Sequence, residues 1–152
     1  MTGMAKTMAA TAAAAMAVLS AGAALAADVV VNLKGVDGRR GVIYAGLQTR
    51  EQFMKAGGVA GAKLENPTAG AQRLVIRDVP PGEYSLGVLH DTNGNGVLDR
   101  GPDGWPAEGV ATGPSRTPLT GPPTFDQVKL LVTAEGATIE ATLWYADKQP
   151  GR

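Results

Sequence analysis

Hydrophobic and polar residues alternate along several short segments of the chain, and a period of two is typical of half-buried β-strands. In residues 28–36, for example, Val29, Val31 and Leu33 lie on one face of the expected strand. The last of these segments alternates in the same way and ends at Tyr145. We therefore predict six strands, at residues 28–36, 41–49, 73–77, 84–90, 128–132 and 137–145.

The connections between these segments contain many glycines and prolines. We expect residues 41–49 to pair back on residues 28–36 as a hairpin, because an Asp-Gly turn signal separates them. Residues 50–70 break the alternation and predict a long irregular connection that starts with one helical turn. Residues 100–124 predict a long loop rich in glycine and proline. Short strands without a long helix predict an all-β fold, an antiparallel β-sandwich of about six to eight strands.

The N-terminus has the composition of a secretory signal peptide. Lys6 precedes a run of Ala, Met, Val and Leu that ends in the triplet Ala-Leu-Ala at residues 24–26. A membrane anchor is the alternative, but the run is rich in alanine and ends in a cleavage-type triplet instead of a flanking charge. We expect residues 1–26 to be the signal peptide and residues 27–152 to form one domain without a membrane span. The expected location is the periplasm or the outside of the cell.

Composition excludes several classes of function. Without the signal peptide the chain loses one of its 14 basic residues and none of its 14 acidic residues, which leaves a net charge of −1. A chain with so little positive charge is not expected to bind nucleic acid. It contains no cysteine, so no disulfide can stabilise the exported domain. A bound metal ion is a candidate for that role, and we expect a monomer.

Residues 91–99 place oxygen-bearing side chains at the spacing of a calcium-binding loop. With Asp91 as position 1, further side-chain oxygens fall at positions 3, 5 and 9, and a backbone carbonyl is available at position 7. A glycine occupies position 6, where such a loop turns sharply. Carboxylate, amide and carbonyl oxygens are the ligands that calcium prefers. The predicted calcium ligands are Asp91, Asn93, Asn95, Val97 (through its carbonyl) and Asp99.

The loop departs from a helix-loop-helix calcium site at position 12. Pro102 stands where such a site has a bidentate glutamate, and no helical pattern flanks the loop. Asp103 or Glu108 could fold back to complete the ligand set. A metal-free turn is the alternative, because the two Asn-Gly pairs of the loop are also strong hairpin signals. Few apolar residues follow the loop to pair as a hairpin, so we favour calcium, with a weak Kd of about 0.1 to 1 mM as in extracellular modules.

The remaining candidate chemistry is less specific. His90 is the one histidine, and its strand position predicts a buried, hydrogen-bonded residue at the edge of the core instead of a catalytic base. Asp99, Asp103 and Glu108 could act as paired acids. Trp105 lies beside them and could stack on a sugar, which predicts a carbohydrate-binding or carbohydrate-cleaving protein as an alternative. Nothing indicates an apolar pocket that would raise the pKa of one acid, so we expect no enzyme.

Four motifs resemble those of one known family and occur in the same order. They are Val-Pro-Pro-Gly-Glu-Tyr at residues 79–84, the His-Asp-Thr-Asn-Gly-Asn-Gly loop at 90–99, Gly-Trp-Pro-Ala-Glu-Gly at 104–109 and Pro-Pro-Thr-Phe-Asp at 122–126. This order resembles the domain of unknown function 2141 family of uncharacterised secreted or periplasmic bacterial proteins. The resemblance implies export but no activity. Residues 79–99 are also similar to prealbumin-like sandwich domains and to B-type repeats of bacterial adhesins, in which the loop is a structural calcium site.

These patterns predict an exported, non-enzymatic β-sandwich of the prealbumin-like or immunoglobulin-like kind with a structural calcium loop. Its partner is expected to be a protein or glycan of the cell envelope. Two alternatives stay open at this point: a protein that binds or cleaves carbohydrate, and a structural domain with a metal-free turn.

Overall fold

The computed structural model describes residues 25–55, 57–114 and 122–149, so all but the last two residues of the predicted signal peptide lie outside the described residues. The described part of the chain contains eight strands, a short helix and a 3-10 turn. The strands are β1 (Ala27–Val36), β2 (Val42–Gln48), β3 (Ala60–Glu65), β4 (Gly70–Val79), β5 (Gly82–Asp91), β6 (Gly109–Thr112), β7 (Lys129–Val132) and β8 (Ala137–Thr142). The helix α1 (Phe125–Val128) precedes β7, and the 3-10 turn (Ala146–Lys148) follows β8.

The strands form two sheets, which confirms the predicted β-sandwich. β1 lies at the centre of a three-stranded sheet in the order β4-β1-β8. Within this sheet β1 is antiparallel to β4 and parallel to β8. The second sheet has the order β3-β2-β5-β6, with β7 also pairing with β5, and all of its pairs in the described residues are antiparallel.

The apolar faces of the strands meet between the two sheets and form the core. Val29, Val31 and Leu33 of β1 are fully buried, as the alternation predicts. Leu86 and Val88 of β5 face them from the other sheet and are buried as well. Removing these side chains from water is the main term that stabilises the fold. Other strands add the buried residues Ile43, Ala45, Leu47, Leu74, Ile76, Ile139 and Ala141.

The predicted hairpin between residues 28–36 and 41–49 is wrong. Both segments are strands, but β2 pairs with β3 and β5, whereas β1 pairs with β4 and β8. Between them the chain crosses from one sheet to the other, and Gly38 and Gly41 on this crossing have φ values of +75° and +134°. Alternation locates a strand from local residues, but the choice of its partner depends on residues distant in the sequence.

Two strands lie in segments that the sequence predicts as loops. β3 occupies part of the predicted irregular connection 50–70. Its residues alternate between half-buried and exposed positions, but five of the six are Ala, Gly, Lys or Glu, which are uncommon in strands. β6 is only four residues long and lies within the predicted loop 100–124. The expected helical turn at the start of 50–70 is a series of turns. Val128, which we expected to begin a strand, ends α1.

The helical segments are short and lie outside the two sheets. In α1, Phe125 is buried and its ring packs edge-on against that of Phe53, with ring centroids 5.7 Å apart. No helix among the described residues has the length and apolar character needed to cross a membrane.

Candidate cation-binding loop

The candidate loop begins where β5 leaves the core. β5 ends at Asp91, and residues 92–108 connect it to β6, which returns beside β5. Gly41 packs directly against this point, because a Cβ there would lie 2.1 Å from the backbone oxygen of Asp91. Gly41 also has a φ of +134°, which side-chain-bearing residues rarely adopt. The sandwich therefore fixes the first residue of the loop through a contact that only glycine allows.

The Asp91 side chain is fully buried and holds the backbone of the loop. Its Oδ1 accepts hydrogen bonds from the N–H groups of Gly94 at 2.7 Å and Asn95 at 3.3 Å. Its Oδ2 accepts one from the N–H of Gly96 at 2.8 Å. Gly94 and Gly96 both have a φ of +77°, which explains why each asparagine of the loop precedes a glycine. Asp91 thus gathers three consecutive amides, as an anion does in a backbone nest.

The side chains of Asn93, Asn95 and Asp99 meet on the exposed side of the loop. Nδ2 of Asn93 donates to Oδ2 of Asp99 at 2.6 Å, and Nδ2 of Asn95 donates to the same oxygen at 2.8 Å. Oδ1 of Asn93 accepts the N–H of Asn95 at 3.0 Å, and Oδ1 of Asn95 accepts the N–H of Val97 at 2.9 Å. Three of the five predicted ligands therefore meet at one atom, Oδ2 of Asp99, which we call the contact point.

Glu108 closes the loop from its other end and is 3% exposed. Its Oε1 accepts the N–H of Thr92 at 2.8 Å, and its Oε2 accepts the N–H of Asp99 at 3.3 Å. One side chain therefore ties the first turn of the loop to the last. Asp103, the other acid expected to fold back, instead accepts the N–H of Trp105 at 3.2 Å.

Three carboxylates gather at this loop, and none of them has a basic partner in the part of the chain that the structure describes. Within the described residues, no lysine or arginine forms an ion pair with Asp91, Asp99 or Glu108. Their recorded hydrogen bonds come from backbone N–H groups, two side-chain amides and one hydroxyl. Hydrogen bonds of this kind do not cancel a formal negative charge as a basic side chain does, so a cation is the kind of ligand that this loop would favour.

The oxygen atoms of the loop are the kind of ligand that a hard divalent cation prefers, and some of them already lie close together. Calcium takes about six to eight oxygens at about 2.3–2.6 Å. The two asparagines and Asp99 already converge, whereas the oxygens of Asp91 are directed at backbone amides and Val97 has a 57% exposed side chain. No group of three or more His, Cys, Asp or Glu side chains that could hold a metal ion occurs among the described residues. Calcium binding at this loop therefore stays a prediction that depends on amide and carbonyl oxygens.

A second buried acid, Asp37, follows β1 and has basic partners. Its side chain is 2% exposed, and its Oδ2 lies 2.6 Å from Nε of Arg39 and 3.3 Å from Nζ of Lys148. Burial would raise the pKa of Asp37, but the hydrogen bonds and charges of Arg39 and Lys148 outweigh burial and hold this pKa below its usual value. Arg39 also pairs with Asp147 on the 3-10 turn. Asp37 is therefore part of a compensated ion cluster.

His90 links this cluster to the loop. It directly precedes Asp91 on β5, and its side chain lies near Asp37. The imidazole is fully buried, its Nδ1 is hydrogen-bonded to the hydroxyl of Tyr145 at 2.7 Å, and it lies 3.9 Å from Oδ1 of Asp37. Burial lowers the pKa of His90, although the charge of Asp37 opposes this change. Burial also raises the pKa of Tyr145 to about 12. The predicted buried, hydrogen-bonded histidine is confirmed.

The sequence did not reveal the partners of His90. Tyr145 is 55 residues away along the chain, and Asp37 follows β1, which lies in the other sheet. One weak indication of the contact with Tyr145 is the glycine at position 109, where a Cβ would lie 2.3 Å from the ring of Tyr145. Glycine is needed there to make room for the aromatic ring, and the sequence does not say which ring.

Residues 99–107 form a small hairpin that carries Trp105. The N–H of Gly101 donates to the carbonyl oxygen of Trp105 at 2.8 Å across this hairpin. Trp105 is 40% exposed, and its ring packs on that of Trp144, with centroids 5.6 Å apart and an angle of 41° between the planes. Trp144 in turn exchanges two backbone hydrogen bonds with Val110 of β6. The chain after β8 therefore packs against the chain that leaves the loop.

The fold and this loop define a β-sandwich protein with an acidic, amide-rich loop between β5 and β6. The chain belongs to a bacterial family described as "Uncharacterized protein conserved in bacteria (DUF2141)", whose model matches residues 31–140. The matched range runs from β1 to β8 and includes the loop. No curated protein and no solved structure matches the chain. The resemblance to this family is confirmed, while the similarity to prealbumin-like and adhesin domains stays a prediction.

Proposed function

We propose that the protein is an exported, non-enzymatic β-sandwich module whose β5–β6 loop binds calcium as a structural ion. In this proposal the mature domain works in the periplasm or outside the cell, where it contacts a protein or glycan of the envelope. The ion holds a surface loop in one conformation and stabilises the folded state by mass action. It thereby has the role that disulfides have in many other exported domains.

The observation that carries the proposal is the set of acids that lack a basic partner. Asp91 and Glu108 are buried, Asp99 already receives two amide groups, and no basic side chain of the described residues pairs with any of them. Such an oxygen-rich set without a thiol favours a hard cation over zinc. Calcium suits it better than magnesium, because magnesium demands regular octahedral geometry and loses its water reluctantly.

Each part of the loop has a distinct role in this proposal. Rotation of the two asparagine amides would turn their oxygens toward the contact point at Asp99, and Val97 would add its carbonyl. Asp91 would hold the backbone and offer its remaining lone pairs. Glu108 would keep the two ends of the loop together. Water would fill the position that Pro102 leaves without a protein ligand.

Calcium-dependent thermal stability tests the proposal. The mature domain is treated with a chelator, and its Tm is followed by circular dichroism as calcium is added. At about 1 mM calcium and a Kd of about 0.1 mM, binding stabilises the fold by about 1.4 kcal/mol and raises the Tm by about 5 °C. A Tm that does not change with calcium would contradict the proposal.

Two variants make this test specific to the loop. Asp99→Asn removes the carboxylate at the contact point and is expected to abolish most of the calcium response. Asp126→Asn removes an exposed acid that pairs with Arg50, and it is expected to leave the response unchanged. Equal responses in the two variants would place any calcium effect outside the loop.

The contact between Trp105 and Trp144 favours carbohydrate binding as a second candidate function. A partly exposed indole provides a flat apolar surface for a sugar ring. Tryptophan fluorescence that shifts with oligosaccharides but not with calcium, and loses the shift in Trp105→Ala, would support this candidate. Cleavage would require turnover that is lost in Glu108→Gln while the fold is retained.

The number of hydrogen bonds within the loop favours a third candidate, a metal-free structural turn. Asp91 accepts hydrogen bonds from three backbone N–H groups, and Asp99 accepts them from two side-chain amides. A loop that keeps these contacts in a chelator, together with a Tm that ignores calcium, would support this candidate.

A further inference from the structure

The loop contains two Asn-Gly pairs, and this dipeptide undergoes a spontaneous reaction. The backbone nitrogen of the glycine forms a bond to Cγ of the asparagine, the Cγ–Nδ2 bond breaks, and the nitrogen leaves as ammonia with the proton from the glycine N–H. Water then opens the cyclic imide to aspartate or isoaspartate. Asn93 and Asn95 are exposed, so water reaches both sites.

Both attacking nitrogens are held by one buried carboxylate. The N–H of Gly94 donates to Oδ1 of Asp91 at 2.7 Å, and the N–H of Gly96 donates to Oδ2 at 2.8 Å. To react, each nitrogen must lose this proton and turn toward the preceding side chain. A neighbouring carboxylate keeps the proton in a charge-assisted hydrogen bond and disfavours a negative nitrogen.

The asparagine side chains are held as well. Nδ2 of both side chains, the group that leaves, donates to Asp99. Oδ1 of Asn93 and of Asn95 accepts a backbone N–H two residues further on. Each side-chain amide is therefore fixed at both of its polar atoms, and rotation to meet the glycine nitrogen breaks these contacts.

We propose that Asn93 and Asn95 form a deamidation site that the Asp91 carboxylate protects in the folded loop and that reacts when the loop opens. Asp91 acts through the two glycine amides that it holds. A single carboxylate therefore slows the reaction at both asparagines.

Deamidation would reverse the interaction at Asp99. In the intact loop, the side-chain amides of Asn93 and Asn95 donate to Oδ2 of Asp99. Deamidation replaces one of these amides by a carboxylate, which would repel the carboxylate of Asp99. Only a bridging cation would restore attraction between such groups. If calcium binds as proposed above, deamidation makes the loop more dependent on calcium, and this consequence rests on the proposed function.

Peptide mass spectrometry tests the protection. The folded protein and the same protein in urea are incubated in ¹⁸O-labelled water, and trypsin releases the peptide that ends at Arg100. We expect both Asn-Gly sites to react roughly 10- to 100-fold more slowly in the folded protein, since a charge-assisted hydrogen bond must break first. Asn66 precedes Pro67, which has no N–H, and so serves as the site that forms no imide in either state.

The variant Asp91→Asn tests the role of the carboxylate itself. It keeps the size of the side chain but removes its charge, and both sites are expected to react faster than in the folded wild-type protein while circular dichroism still shows the fold. Amide exchange of the wild-type protein tests the same contact without a variant, and Gly94 and Gly96 are expected to be protected. Unprotected glycine amides, or equal reaction rates in the folded and unfolded wild-type protein, would overturn the proposal.

A separate measurement distinguishes this proposal from the calcium proposal. Asn95→Asp copies the deamidated loop and is expected to have a lower Tm than the wild-type protein in a chelator. Recovery of the Tm with calcium supports both proposals. Loss of Tm without recovery supports the reversed interaction at Asp99 but contradicts calcium binding, and an unchanged Tm contradicts the reversal.

Discussion

Asp37 and Asp91 are both buried acids near His90, and the protein compensates their charges in opposite ways. Asp37 lies against the side chains of Arg39 and Lys148 at 2.6 and 3.3 Å. Asp91 receives three backbone N–H groups and no basic side chain of the described residues. Formal charge is cancelled in the first region and retained in the second.

The difference shows which of the two regions can attract a ligand. In a compensated ion pair the opposite charges largely cancel, so the pair attracts a further cation only weakly. Its main effect is on stability. The loop keeps the negative charges of Asp91, Asp99 and Glu108 in a short stretch of chain, and only dipoles balance them. We therefore interpret the Asp37 cluster as structural and propose the loop as the region that binds a cation.

Substitution of the glycine that joins the two regions has the largest expected effect. In Gly41→Ala, the new Cβ would lie 2.1 Å from the backbone oxygen of Asp91 at a φ of +134°. We expect a loss of about 3 kcal/mol or more in the free energy of unfolding, measured by urea denaturation. Gly70→Ala is the matched control, because Gly70 has a φ of +102° but open space around it, and about 1 kcal/mol is expected there. Equal losses would show that the contact with Asp91 is not tight.

Removal of the uncompensated acid has the next largest effect. Asp91→Ala leaves the N–H groups of Gly94 and Gly96 without their acceptor, and we expect a loss of about 2–3 kcal/mol together with the loss of the calcium response. Urea denaturation with and without calcium measures both quantities. A variant that keeps the wild-type calcium response would contradict the role of Asp91 in the loop.

Removal of the compensated acid should affect stability but not calcium. Asp37→Asn leaves Lys148 without its carboxylate partner and Arg39 with Asp147 alone, and both basic side chains are partly exposed, so we expect a loss of about 1–2 kcal/mol. The same denaturation experiment should show an unchanged response to calcium. If Asp37→Asn abolished that response and Asp91→Ala did not, the assignment of the two regions would be reversed.

The smallest effect concerns Tyr145 and appears at alkaline pH. Its pKa is raised to about 12 in the folded protein, above the ordinary value of 10.0, so the native state holds the phenol proton more tightly than the unfolded state. This contribution to stability is complete below pH 10 and is lost as the pH rises toward 12. Tyrosinate absorbance should show a late ionisation step that Tyr145→Phe removes, and a titration without that step would contradict the burial of this hydroxyl.

The sequence predicted those features that depend on neighbours along the chain. Apolar side chains at every second position of β1 and β5 are buried, so alternation locates these strands, and the loop residues lie within nine consecutive positions. β3 was missed because most of its residues are Ala, Gly, Lys or Glu, which are uncommon in strands, although they alternate between half-buried and exposed positions. The partner of β2 and the cluster around His90 depend on contacts between distant segments, for which a single sequence holds no signal of comparable strength.

The most direct test of the account is a crystal structure of the mature domain grown in calcium. We predict density for an ion surrounded by about six to eight oxygens at about 2.3–2.6 Å, with the side chains of Asn93, Asn95 and Asp99 and the carbonyl of Val97 among them. A well-ordered loop that contains only water, with both asparagine amides still donating to Asp99, would contradict the account.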